Sequence, residues 1–575
     1  MHTADWTVLA LYLIGTVGIG IFLGRKVKNT SDLFAAGGAS PWWASGLSAF
    51  MTMFSANTFV VWGGMAYQHG TVAIMVNLCY GIAALLAGYT VAGKWKQLGI
   101  RTPAEFVERR FGKGALHFYT WSMMIYRMVG AAGALYAISI LTVAVTHGEA
   151  TPVGVQGMPP ELVSAILIFA AVVVLYTMIG GLWAVLMTDV IQFIVLNVAV
   201  VFVVALILFD VGGLGGFIAQ APEGFLSFTS GKYTWFFLFG WVAIHYFMIG
   251  AEFAFVQRYL CVPTARDARK GTALFGVMYL FSPFLWLLPP LLWRVQSPIP
   301  EGASVEMIRA LKEEAYIRSC MNVLPIGMIG LMMAAMFSAT ASMISSQLNV
   351  FSGVITQDIY RPMRKAVSEK NLLFAGRGFT LLLGALIAGI ALSIPVLGGA
   401  ERVIVSITEL MVVPLLAPIL IGLLSKKVNA AALWWTAGIC IPLGLALHFK
   451  LITPPADSAV AQWLFAQSKT FVGVVLPIII VLIAHFRARG TAARWQNIED
   501  LQANEREAEA KSPGKADAAP AQIVGWSMVV LGLGMLCLLP VNPGDRVIIL
   551  SFGLLVSAIG LSMLLGAKHL KSKNL

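Results

Sequence analysis

Runs of about 20 predominantly apolar residues recur along nearly the whole chain, each long enough to cross a hydrocarbon layer roughly 30 Å thick as an α-helix. The runs are too long and too uniformly apolar for barrel strands, and backbone in lipid must satisfy its own hydrogen bonds, so helices are the remaining solution. Composition agrees: of 575 residues 58% are hydrophobic and only 11% charged, where a soluble globule carries roughly a quarter charged. An all-α polytopic membrane protein is expected.

About fifteen candidate spans follow from the length criterion. They lie near 6–24, 42–66, 71–93, 115–146, 160–179, 182–209, 234–259, 271–294, 323–357, 372–394, 400–424, 430–449, 470–486, 522–540 and 545–566. The first, Trp6 to Gly24, lacks a positive leader and is followed by Arg25, Lys26 and Lys28, so it reads as a retained span. Alternate connections are basic: RKVK, KWKQLGIRTPAEFVERRFGK, RYLCVPTARDARK, YRPMRKAVSEK, SKK, HFRARGTAARWQ and the tail KHLKSK. The connections between them are poor in Lys and Arg, which places the N-terminus outside, the C-terminus inside and the protein in the cell (inner) membrane. The net charge of +12 is thereby cytoplasmic anchoring and no nucleic-acid partner is expected. Five cysteines without CxxC spacing propose neither a disulfide framework nor a metal site. The sequence contains no HExxH, GxSxG, P-loop or paired catalytic carboxylates in a plausible setting, so it is not read as an enzyme.

Ionisable groups at bilayer depth cost ~3 kcal/mol each on insertion scales and need a reason. The candidates are Arg127, Asp189, His245, Glu252 and Glu409, whereas Arg258 and Arg377 sit nearer predicted span ends and are expected to snorkel. In SAFMTMFSANTFVVWGGMAY, Ser55, Asn57 and Thr58 precede Gly63 and Gly64. That is a pattern for a discontinuous helix whose freed carbonyls face a polar cavity, although taken alone it also fits helix packing. Five spans later FGWVAIHYFMIGAEFAFVQRYL carries Glu252 after Gly250 and Ala251, with His245 seven positions earlier on the same helical face. Two interrupted helices at that separation predict an inverted five-plus-five repeat with the solute site between the breaks.

The chain then divides into a leading helix and inner loop (1–41), a first repeat (42–233), a second repeat (234–429), two further helices (430–486), a cytoplasmic polar linker (487–521) and two additional helices with a basic tail (522–575). In AAMFSATASMISSQLNVFSGV, Ser338, Ser342 and Ser345 share one face, able to bond carbonyls or to coordinate a small hard cation through oxygen. Asp189, in GGLWAVLMTDVIQ, is a carboxylate able to neutralise a cation or carry a proton.

These segments, FSANTF, GGLWAVLMTDVIQ, GAEFAFVQRYL with PTARDARKG, and AAMFSATASM running to TQDIYRP, resemble the sodium:solute symporter family in order and spacing over roughly residues 5–450. The resemblance implies a leucine-transporter-type core and sodium as the coupling ion. The shared sodium site maps onto Met51, Phe54, Ala335 and Ser338; a second, present in some members, maps onto Asp189, Ser338 and Ser342. Two departures weaken these sets: Ala339 stands where members carry a second Ser or Thr, and Ala341 replaces a further serine. Thr340 is the neighbour able to compensate.

Substrate positions carry over as Ser55, Asn57, Thr58, Glu252 and Phe253, with Arg127 on the helix where sialic-acid and sugar members hold a carboxylate. His245, Trp62 and Glu409 are candidates for coupling or gating, with core packing the alternative for Trp62 and Phe253. The reading is a sodium-coupled symporter of a sugar, sialic acid or small carboxylate in the lipid bilayer, with no obligatory protein partner expected. Rivals are proton coupling, suggested by Ala339 and by a His245–Glu252 pair, and a transporter-like membrane sensor.

Overall fold

The computed structural model describes residues 2–24, 40–147, 158–448, 451–452 and 465–511, except 101, 232, 365–367, 396, 398–399 and 466; beyond these it describes scattered positions from 522 to 539 and residues 546–574. Regular structure among them is helical, with one isolated β-bridge between Ser230 and Tyr233. In chain order the elements are α1 (Thr3–Gly24), α2 (Trp42–Met53), α3 (Thr58–His69), α4 (Val72–Lys96), α5 (Pro103–Phe111), α6 (Lys113–His147), α7 (Pro160–Asp210), α8 (Trp235–Ala251) and α9 (Phe253–Leu260). They continue with α10 (Ala265–Gln296), α11 (Val305–Val323), α12 (Met328–Met363), α13 (Glu369–Ala391), α14 (Ala400–Leu424), α15 (Ala430–His448), α16 (Gln467–Arg487), α17 (Gln496–Lys511) and α18 (Arg546–Asn574).

Both expected interruptions are present. The axes of α2 and α3 differ by 59° and those of α8 and α9 by 49°. The first break is Phe54, extended at φ −94° and ψ 134°, after which α3 opens with a wide π turn from Thr58 to Trp62. The second is the single extended residue Glu252, at φ −72° and ψ 140°. Backbone released by a break must find partners at depth. At the first, the Ala56 N–H donates to the Thr340 hydroxyl (2.9 Å), which itself donates to the Met336 carbonyl (3.0 Å). At the second, the freed carbonyls of Gly250 and Ile249 accept from Trp95 Nε1 (2.7 Å) and the Tyr259 hydroxyl (2.6 Å).

Gly63 and Gly64 have a different job from the one their sequence context suggests. They lie inside α3, past the break, and a Cβ on Gly64 would sit 2.9 Å from the Lys312 carbonyl. Their smallness lets α11 approach α3, not the chain turn. Similarly, a Cβ on Gly46 would meet the Gly271 carbonyl at 2.5 Å, so α2 and α10 touch backbone to backbone.

Nine helices among the described residues are long and apolar enough to cross a bilayer, or eleven when each bent pair is one span. The expected fifteen are not reached among the described residues. Spans 160–179 and 182–209 form one helical run of 51 residues; a straight helix of that length would measure ~77 Å, more than twice a hydrocarbon core. α1, at 22 residues, runs the length of the expected first span. Much of 522–540 lies outside the described residues, while α18 covers 546–566.

The polar linker contains a helix, Gln496–Lys511, and that helix is docked. This α17 lies on α5, with Asn497 Nδ2 donating to the Arg109 carbonyl (3.2 Å) and Lys426 paired with Glu499 (2.8 Å). Lys426 and the Trp495 indole hold the Glu499 carboxyl below the usual range. Arg110, fully buried, caps the end of α14 by donating to the Gly422, Ser425 and Val428 carbonyls, a cation on the negative end of a helix.

Candidate functional site

Between the two breaks lies a cavity of about 90 Å³ whose wall includes Ser55, Asn57, Tyr126, Arg127, His245 and Thr408. Trp62 also reaches it, stacked edge-on against Tyr80 and Trp241 in an aromatic cluster. Asn57 braces the break against α6: in the orientation that satisfies both amide atoms it donates to the Gly133 carbonyl (3.1 Å) and accepts from the Ala134 N–H (3.3 Å).

Arg127 and Glu252 form an ion pair at 2.9 Å, with the carboxylate fully buried. The angles leave Arg127 Nε and both Glu252 oxygens without a directed hydrogen bond, so the pair retains hydrogen-bonding capacity. The guanidinium also lies over the rings of Tyr126 (5.3 Å) and Phe255 (6.0 Å). A carboxylate solute at Arg127 therefore meets an acid already in place.

The expected His245–Glu252 pair does not form. In an unbroken helix seven residues would bring both to one face, but α8 stops at Ala251 and the extended Glu252 carries its side chain to Arg127 instead. His245 hydrogen-bonds the Trp241 carbonyl (2.8 Å) and packs 3.8 Å from the Tyr80 ring.

Thr58 and Phe253, expected to contact solute, are buried beside the breaks. Thr58 Oγ1 accepts from the Ser55 N–H at 3.5 Å, and Phe253 packs near Phe351. Glu409 accepts from the Thr470 hydroxyl (2.7 Å), joining α14 to α16.

Below the cavity, Asp189 on α7 receives one hydroxyl on each oxygen, Ser48 from α2 and Ser342 from α12. Arg258, expected to snorkel, is instead 1% exposed and lies 4.0 Å from this carboxylate. It donates to Ser48 Oγ (3.3 Å), Ser346 Oγ (2.7 Å) and the Ala254 carbonyl (3.0 Å). The cation beside Asp189 is thus a guanidinium belonging to the chain. Sequence depth misleads here because α9 is a half-helix: after the break its last turn points into the α2–α7–α12 junction. Ser342 joins Asp189 as expected, whereas Ser338 does not, and Ser345 donates to the Ser342 carbonyl (3.0 Å).

Ser338 Oγ is buried with no hydrogen-bond partner among the described residues. An unsatisfied buried hydroxyl is costly, and this one sits on α12 two residues from the Thr340 that clasps the first break. The Phe54 carbonyl stands in extended backbone at that break, one turn from the Met51 carbonyl, which accepts from the Phe54 N–H (3.1 Å). Neutral oxygen donors of this kind suit an alkali cation. Thr340, the neighbour of Ala339, accepts from Ala56 and donates to Met336, which leaves its oxygen one further lone pair.

Two discontinuous helices enclosing a polar cavity, with unwound carbonyls and a spare hydroxyl beside it, define the core of a secondary transporter. The sequence model of the sodium:solute symporter family matches residues 33–438. The chain belongs to that family: it is a transporter, not an enzyme, and its coupling ion is Na+. It is 25% identical to the sodium/sialic acid symporter NanT of Aliivibrio fischeri over 84% of this chain and 93% of that one. It is 28% identical to the sodium/glucose cotransporter of Vibrio parahaemolyticus over 78% and 86%. Among solved structures, a Na+-coupled sialic acid symporter in a substrate-bound outward-open state superposes with a TM-score of 0.66 at 23% identity, covering 84% of this chain and 96% of that one, which shows a shared fold.

Proposed function

We propose that this chain is a multi-pass symporter of the cell (inner) membrane, N-terminus outside and C-terminus inside, importing a small polar organic solute by alternating access. The solute class is a sugar, a sialic acid or a small carboxylate, as with the sugar and sialic acid carried by its relatives. Sodium binds at Met51, Phe54, Ala335 and Ser338, pins the broken α2–α3 span to α12 and completes the cavity; solute then binds and the bundle rocks. Each ligand favours the same occluded arrangement, which is what couples them.

The observation carrying this reading is the orphaned Ser338 hydroxyl beside the first break and its polar cavity. Arg127 is matched by Glu252, giving that wall no net charge; this favours solutes rich in hydroxyls, or carboxylates that bring donors of their own, over simple anions. The test is uptake of labelled sugars, sialic acids and monocarboxylates into proteoliposomes under imposed sodium or pH gradients. Accumulation driven by sodium is expected, and uptake that follows the pH gradient and ignores sodium defeats the proposal.

A further inference from the structure

Gln192 is fully buried on α7, and neither its amide oxygen nor its amide nitrogen has a hydrogen-bond partner among the described residues. A buried amide left wholly unsatisfied calls for an explanation. The directions of three helices supply one. At one face of the molecule Gln296 Nε2 donates to Asp210, at the end of α7, and the Tyr67 hydroxyl near the end of α3 donates to the Ser297 carbonyl. So α2 and the second half of α7 run toward that face. α12 runs away from it, since its far end brings Asp358 to Thr102, just beyond the end of α4 (3.1 Å).

The three helices meet where Ser48 and Ser342 each donate to Asp189. One turn closer to the Asp210 face stand Met51 on α2 (i+3), Gln192 on α7 (i+3) and Ser338 on α12 (i−4). Each is displaced by ~4.5–6 Å along its axis and rotated by only ~40–60° from the residue in contact. That layer therefore gathers the carbonyl of Met51 and two orphaned side chains, Ser338 and Gln192, from three helices.

We infer that the Gln192 side-chain oxygen is a sodium ligand, standing in for the hydroxyl lost at Ala339. The inference rests on the sodium-symport reading and adds to it a donor from α7. An amide oxygen is a good hard-cation donor, and with Met51, Phe54, Ala335 and Ser338 it restores five oxygens. It also ties α7 to the ion, so that sodium binds α2, α7 and α12 together.

The test is sodium-dependent uptake by wild type, Gln192→Leu, Gln192→Glu and Gln192→Leu combined with Ala339→Ser. In Gln192→Leu the half-saturating sodium concentration is expected to rise at least tenfold, with solute KM at saturating sodium unchanged; Ala339→Ser in that background should recover most of the loss. Where Gln192→Leu fails to fold, Gln192→Glu carries the test. A full negative charge on the ion should lower half-saturating sodium several-fold, read by sodium titration of tryptophan fluorescence in purified protein. Sodium-dependent wild type with variants of unchanged sodium affinity would overturn the inference, leaving Gln192 to hold a water, while the symport reading stood. A wild type indifferent to sodium would overturn both, and that arm alone separates the two failures.

Discussion

At the scale of single residues, the ion pair between Arg127 and Glu252 is the feature with the most direct consequence for selectivity. Removing one partner of a buried pair strands the other charge. Glu252→Gln should therefore leave Arg127 free to attract an anion: apparent affinity for a carboxylate solute should rise several-fold, while that for a neutral sugar should fall. Arg127→Ala should depress uptake of both kinds, because it strands Glu252. Competition uptake with matched neutral and anionic solutes checks this, and identical selectivity in Glu252→Gln and wild type would show that the pair does not face the solute. The residue types at this site were readable from the sequence, since a buried Arg and Glu demand a reason. Their partnership was not: it depends on one extended residue at position 252, which turns an acid expected to face His245 toward α6. Arg258 was misread for the same cause, its depth being set by a bend that hydropathy does not register.

At the scale of elements, the breaks were legible because Ser-Ala-Asn-Thr and Gly-Ala-Glu are poor choices for a continuous helix in lipid. What holds them open was not, because the groups that satisfy the released backbone come from far along the chain. Trp95 reaches Gly250 across 155 residues and Thr340 reaches Ala56 across 284. Trp95→Phe keeps most of the apolar bulk and removes only the donor, leaving a buried carbonyl unsatisfied at a cost of ~1–3 kcal/mol. The apparent melting temperature in detergent should drop by several degrees relative to Trp435→Phe, a substitution at an exposed position. Equal melting would mean that the Gly250 carbonyl finds another partner once Trp95 no longer donates. The linker shows the converse: its sequence read only as a polar connection, yet Trp495, lying against Arg110 and Lys426 (5.2 and 5.8 Å), anchors α17 to the bundle.

At the scale of the whole molecule, the same layer of oxygens that would hold sodium joins the first broken span to α12, and Thr52, Met53 and Ser55 of that span line the cavity. A ligand that binds the folded, assembled arrangement and not the unfolded chain stabilises it by ~2.7 kcal/mol at a hundredfold excess over its dissociation constant. Sodium at such an excess should therefore raise the apparent melting temperature by several degrees over choline at equal ionic strength, and Ser338→Ala should lose most of that rise. Coupling adds a stricter demand. If sodium and solute favour one occluded state, the factor by which saturating sodium tightens solute binding must equal the factor by which saturating solute tightens sodium binding. Both factors are measurable by titrating each ligand in the presence and absence of the other. Equal factors of fivefold or more are expected for wild type, collapsing toward one in Ser338→Ala; solute affinity unmoved by sodium in wild type would mean that the broken span and α12 do not form a single coupled unit.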